Sequence, residues 1–430
     1  MKIKQTNNFT DYQKFVIFIL AITQFTVILD FMVMSPLGDL LIKSLDMKPS
    51  HFGIAVSAYA FSAGISGLLT AGFADRFDRK KLLLFFYTGF IAGTIFCGIS
   101  TSYQVLVAAR IITGLFGGVI SSISMAIIAD IFVLEQRGRV MGFVQMGFGA
   151  SQVLGIPIGL FIANLWGWEA PFLMIAGMAI LIAIFIALKL KPVNEHLKMQ
   201  RDKTAFKHLL HTLVKSNYHI GYMATAVLSI GGFMMMPFGS VFAVNNLGVT
   251  EKQLPLLFMV SGVSALVIMP LIGRLSDQVS KYKLFTISCL WMIITCVIYT
   301  NLSATPLWIV MCLNVVMMMG IMGRMVPSSA LTSAVPDMAD RGAFMSINSS
   351  LQQIAGGIAA AVSGLIVVQK DKFSPLQHYD IVGYVVVVIS LISIFLMYRV
   401  NQLAIKRAKE SGLPTSTPDP ESEIVPIMEV

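Results

Sequence analysis

The sequence predicts an all-α membrane protein, with twelve transmembrane helices in two six-helix bundles around a central cavity. Three observations predict it. The 430-residue chain is 56% hydrophobic and only 12% charged, with mean hydropathy +0.79, a surface that water cannot solvate. Its apolar residues fall into twelve runs, each near the ~20 residues that a membrane span requires. Charged loop landmarks between those runs recur once per half-chain.

The runs are 15–42, 52–74, 81–100, 104–129, 139–163, 169–189, 218–245, 253–274, 283–301, 306–333, 343–368 and 379–401. Lys2 and Lys4 precede the first run, which is too long for a signal peptide and lacks a small-residue cleavage site, so it reads as span 1. Between the sixth and seventh runs, Phe206, Leu209, Leu210 and Leu213 repeat at helical spacing, predicting a helix on the membrane surface. The expected division is an N-terminal bundle (1–190), a cytoplasmic linker (191–217), a C-terminal bundle (218–402) and a disordered Ser-, Pro- and Glu-rich cytoplasmic tail (403–430).

The net charge of +9 raises nucleic acid as a partner. The bases sit in loops at the membrane surface, which points to the lipid bilayer instead and argues against nucleic acid. With the N-terminus inside, most Lys and Arg fall on inner loops. Lys43, Lys48, Lys252, Lys370 and Lys372 are left outside, and Arg110 and Arg324 within spans. Both termini are therefore expected in the cytoplasm. Cys97, Cys289, Cys296 and Cys312 lie in apolar runs without paired spacing and read as small buried hydrophobes. No nucleotide loop, metal cluster or Ser/His/Asp constellation is visible, so neither enzyme activity, cofactor nor metal is expected.

The first landmark is Ala71-Gly72-Phe73-Ala74-Asp75-Arg76-Phe77-Asp78-Arg79-Lys80-Lys81; its second copy runs from Gly273 to Lys281, with Asp75 and Asp277 202 residues apart. The other landmark pairs Glu135-Gln136-Arg137-Gly138 with Ala339-Asp340-Arg341-Gly342 at an offset of 204. Two offsets this similar indicate duplication in one topology. The first loop resembles the signature of the major facilitator superfamily, usually Gly-x-Leu-Ala-Asp-Arg-x-Gly-Arg-Arg, with Ala71 in place of the first Gly and Asp78 in place of the second. The resemblance implies two bundles that rock about a cavity. It also implies a conformational latch at Asp75, Arg76 and Arg79, with Asp277 and Lys281 in the second copy.

A charge inside the bilayer costs at least about 2.5–3.5 kcal/mol, so Asp30, Arg110 and Arg324 are functional candidates. Helical rise places Asp30 about 24 Å and Arg110 about 20 Å from the inner edge of a ~30 Å core, depths that permit an ion pair between spans 1 and 4. Gly114, Gly117 and Ser121 share Arg110's face and let another backbone approach. In the functional reading Asp30 takes up a proton while buried and Arg110 promotes its release. In the structural one the pair only staples two helices. Asp39 and Asp130 read as solvated or capping groups.

Arg110-Ile-Ile-Thr113-Gly114 resembles the superfamily's span-4 motif, linked in proton-coupled members to proton transfer. Leu29-Asp30-Phe31, with Pro36 beyond, resembles the span-1 acidic motif of drug:proton antiporters. Gly155-Ile-Pro157-Ile-Gly159 resembles the span-5 motif of antiporters, with Ile156 separating Gly from Pro; plain helix packing is the alternative. The resemblance also points to cavity candidates: Phe31, Met34, Phe116, Gln145, Gln152, Met235, Phe238, Asn314 and Met318. Flexible methionines suit a pocket that repacks around varied ligands, and equally an ordinary core. Arg324 either binds an anionic group or faces an inner vestibule. The expected activity is that of a monomeric twelve-span drug:proton antiporter in a bacterial inner membrane, exporting a hydrophobic or amphipathic small molecule in exchange for protons. The alternative is a sugar or other polar or anionic solute.

Overall fold

The structure is a computed structural model that describes residues 9–70, 74–194, 197, 205–337 and 340–410. The first half contains α1 (Asp11–Val33), α2 (Gly38–Ser44), α3 (Pro49–Thr70), α4 (Arg79–Gly98), α5 (Tyr103–Ile131), α6 (Leu134–Ala150), α7 (Ile156–Trp166) and α8 (Glu169–Lys189). The linker helix α9 (Ala205–Val214) follows. The second half contains α10 (Ser216–Phe233), α11 (Gly239–Asn245), α12 (Leu254–Gln278), α13 (Lys281–Thr300), α14 (Leu307–Ser333), α15 (Arg341–Ile366) and α16 (Tyr379–Glu410). Eleven described helical stretches are long and apolar enough to cross a membrane. The remaining traversal is α10–α11, whose first part is only 18 residues and opens on the polar Ser216-Asn217-Tyr218-His219.

Spans 1 and 7 are not the continuous helices expected over 15–42 and 218–245. Each breaks, at Met34–Leu37 and at Met234–Phe238, and resumes as a short helix. Pro36 and Pro237 sit in the breaks, where a ring without an N–H cannot continue the ladder. Span 5 stays continuous by a π-helical turn, Ser151–Gly155, that leads into Pro157 at the start of α7. α16 runs to Glu410, past the point where a disordered tail was expected; residues 411–430 lie outside the described residues.

The duplication has a physical counterpart at the helix ends. Arg137 donates to Ala129 O at 2.6 Å and Arg341 to Ser333 O at 3.3 Å, so each landmark arginine covers the free carbonyls of the preceding long helix. In the first charged loop, Asp78 caps α4, accepting from the Lys80 and Lys81 amides at 2.8 and 3.3 Å. Arg79 reaches Asp130 at 3.3 Å, which ties the loop to the end of α5 within one half. Arg76 and Asp277 are exposed. The side chain of Asp75, and residues 71–73, lie outside the described residues. Cys97, Cys289 and Cys296 are buried, but Cys312, on α14, is exposed.

The halves meet along two seams, α3 against α15 and α6–α7 against α12. On the first seam the backbones nearly touch: a Cβ on Gly53 would stand 2.7 Å from Ala360 O. At the end opposite both termini, hydrogen bonds close the gap between halves. Asn245 donates to Asp39 at 2.6 Å, Ser240 to Ser35 O at 2.7 Å, and Ser35 to Met236 O. Lys43 bridges Asp39 at 2.6 Å and Glu251 at 3.0 Å, and Asn164 donates to Glu251 O at 3.0 Å. Asp39 is buried in this network, not solvated.

On the terminal side α9 docks through Leu209, while Leu210 and Leu213 stay exposed and the Phe206 side chain lies outside the described residues. Asp340 anchors the dock. It accepts from Lys215, has the Tyr218 hydroxyl at 2.6 Å, and lies 2.9 Å from His208 Nε2. The hydrogen bond from Lys215, then that from Tyr218, pushes its pKa down to about 2. A folded-state value below the ~3.9 of an unfolded aspartate makes this contribution complete above about pH 4 and lost as pH falls towards 2. Asp340→Asn is expected to lower amide protection across Ala205–Val214 at pH 7, measured against the intrinsic exchange rate, and to flatten the loss of protection that wild type shows on acidification.

Candidate functional site

Asp30 lies near the end of α1 and Arg110 in the second turn of α5. Arg110 Nη1 donates to Asp30 Oδ2 at 2.8 Å, and both side chains are fully buried. Thr94 on α4 donates to Asp30 Oδ1 at 3.2 Å, and Tyr59 on α3 lies under the guanidinium with its ring centroid 4.5 Å away. Nε and Nη2 of Arg110 have no acceptor. The pair is therefore enclosed by four helices, with its carboxylate better satisfied than its cation.

Local packing explains why the pair forms there. The small face of α5 admits α3: a Cβ on Gly114 would stand 2.4 Å from Tyr59 O, so only glycine lets Tyr59 come over Arg110. On the other flank, Gly155 packs on Leu29 and Gly159 on Val33, the neighbours of Asp30 on α1. Gly155, Pro157 and Gly159 are all buried.

Tyr59 also touches Phe31 (centroids 5.2 Å), and Phe31 touches Phe233 of the second half (6.2 Å). Phe31 and Phe233 are walls of an apolar cleft between the halves that Ser35, Val56, Ala60, Met236, Pro237, Gln353, Gly356 and Ala360 complete. Two aromatic rings thus connect the buried charges to the cleft.

The other cavity candidates are scattered. Met34 is fully buried, and Phe238 is buried against Phe52 at 5.8 Å in the closed end. Phe116 packs on Phe85 and Phe86 of α4. Met235 turns into the second half, its sulfur 3.3 Å from Cys296 Sγ, and its neighbour Met236 takes the cleft position instead. Gln145 is exposed; Gln152 and Met318 are half-buried. Asn314 donates to Val310 O of its own helix at 2.9 Å. Arg324 is buried. Among the described residues neither Asp277 nor Lys281 forms an ion pair.

Thr94, Tyr59 and the Asp39–Asn245–Lys43–Glu251 network were not found in the sequence. A threonine or tyrosine in a span carries no unusual signal. The network's position did leave one: Pro36-Leu-Gly38 recurs as Pro237-Phe-Gly239, an offset of 201, marking paired breaks.

The profile described as Major Facilitator Superfamily matches residues 20–360 and 221–427. "Multidrug resistance protein 2" of Bacillus subtilis (strain 168) is 24% identical over 279 residues, 63% of this chain and 69% of its own length. A "Probable sugar efflux transporter" of Helicobacter pylori (strain G27) is 27% identical over 42% of this chain and 47% of its own. Among solved structures, an inward-facing bacterial homolog of the human lysosomal transporter Spinster superposes with TM-score 0.75 at 14% identity, covering 96% of this chain and 100% of that one.

Proposed function

The chain belongs to the Major Facilitator Superfamily, whose members are membrane transporters and not enzymes, and from that premise we propose that it is a proton-coupled exporter of hydrophobic or amphipathic small molecules. The enclosed Asp30–Arg110 pair is the observation that carries this reading. Protonating Asp30 removes the counter-charge of a guanidinium that already has two donors unmatched. Arg110 must then find another acceptor or water, and the nearest elements to shift are α3, which carries Tyr59, and α1, which carries the break at Met34–Leu37. A proton that changes the relative stability of two arrangements is what coupling requires.

The cleft holds only about 10 Å³ here and must widen to admit a ligand; its lining favours an apolar one. Its walls are Phe, Val, Ala, Met and Pro with Gln353 and Ser35 as polar groups, whereas a sugar needs a dense set of buried hydrogen-bonding partners. The multidrug relative agrees with this and the sugar-efflux relative does not. With the termini in the cytoplasm of a bacterial inner membrane, the hydrogen-bonded closure between α2 and α11 seals the outer side, and alternating access requires those bonds to break.

The test is a transport panel in cells. Expression is expected to lower accumulation of amphipathic dyes, with a protonophore abolishing the difference, and to leave accumulation of a labelled pentose unchanged. A change confined to the pentose, or net dye accumulation, contradicts the reading.

A further inference from the structure

Arg324 stands on α14, nine residues before its end at Ser333, which places it about 14 Å into the membrane from the terminal side. It is 4% exposed. Among the described residues it makes no hydrogen bond, ion pair or ring contact. Its neighbours are neutral: Gly231 and Gly232 of α10, and the thiols of Cys289 and Cys296 on α13. Among the described residues of the second half, Glu251, Asp277, Asp337, Asp340, Asp371 and Asp380 sit in loops or at helix ends, so none of these six can move to it without unwinding a span.

The two halves thus treat their intramembrane arginines oppositely. Arg110 has an aspartate; Arg324 has a vacant approach. A Cβ on Gly232 would lie 3.5 Å from Nη2 and one on Gly231 3.9 Å from Nη1, so the glycine pair keeps side chains away from the fork of the guanidinium. Gly232 directly precedes Phe233, a wall of the apolar cleft. An unpaired buried cation in a membrane is costly, and a guanidinium fork matches planar or tetrahedral oxyanions bidentately.

We propose that Arg324 binds the anionic head of the transported molecule, a carboxylate, sulfonate or phosphate, while the cleft around Phe233 takes its apolar body. The substrate class is then amphipathic organic anions or zwitterions, not lipophilic cations. This deepens the exporter reading and rests on it for the cleft, but not on proton coupling.

Fluorescein and rhodamine 123 share a xanthene body and differ in charge, so their binding to the full chain in nanodiscs, read by fluorescence polarisation at pH 7.5, isolates the head group. Wild type is expected to bind fluorescein more tightly than rhodamine 123. Arg324→Met weakens fluorescein about tenfold or more, as loss of a charged hydrogen bond does, without weakening rhodamine 123; Arg324→Lys is intermediate. Should Arg324→Met not fold, Gly232→Leu keeps the charge and fills its approach, and is expected to lose fluorescein alone. Unchanged fluorescein binding in these variants, equal loss of both dyes, or no anion binding by wild type overturns the proposal. Equilibrium binding needs no proton gradient. The binding result therefore stands apart from the proton-flux test of Asp30, which separates a failure here from a failure of the coupling reading.

Discussion

Arg110→Met is expected to destabilise the protein by about 3–5 kcal/mol, because it leaves the fully buried Asp30 carboxylate without its cation. Only Thr94 remains as a donor, at 3.2 Å. Methionine keeps the unbranched stem that fills the space beside Tyr59, so the loss comes from charge and not from a cavity. The double variant Asp30→Asn/Arg110→Met is expected to recover more than half of it, since removing both partners leaves no orphaned charge. Denaturant unfolding in detergent, followed by tryptophan fluorescence, measures both. A single variant as stable as wild type would mean that water already reaches the pair.

The pair was legible in the sequence for a simple reason. A charge within an apolar run stands out, and the fixed rise of a helix turns sequence distance into depth. The same reasoning could not reach its surroundings. Tyr59 and Thr94 lie on other spans, and nothing in their identity says which way they face. Met234-Met235-Met236 covers more than half of a helix turn, so the residue type does not select Met236 for the cleft over Met235, whose sulfur meets Cys296.

Proline marks a break in some spans and not in others. Pro270 and Pro327 sit inside continuous α12 and α14, whereas Pro36 and Pro237 mark breaks. Neighbouring helices can satisfy the freed carbonyls in a membrane, so proline alone does not decide. At the breaks the chain satisfies them across the two halves, through Ser35, Met236 and Ser240. Asp39 escaped detection in the same way: its partner Asn245 is 206 residues distant, and no local spacing announces the contact.

Asp30→Asn carries the second large effect. Asparagine keeps the size of the side chain and an amide oxygen that can accept from Arg110 and Thr94, but cannot exchange a proton, so substrate still binds while the link to protons is cut. With purified protein in proteoliposomes and a pH-sensitive dye in the lumen, wild type is expected to move protons when an amphipathic substrate is added on the opposite side. Asp30→Asn is expected to lower that substrate-driven proton flux at least about tenfold, while downhill movement of the substrate persists. Substrate-driven proton flux that survives unchanged in Asp30→Asn would contradict the assignment of Asp30 as the proton carrier.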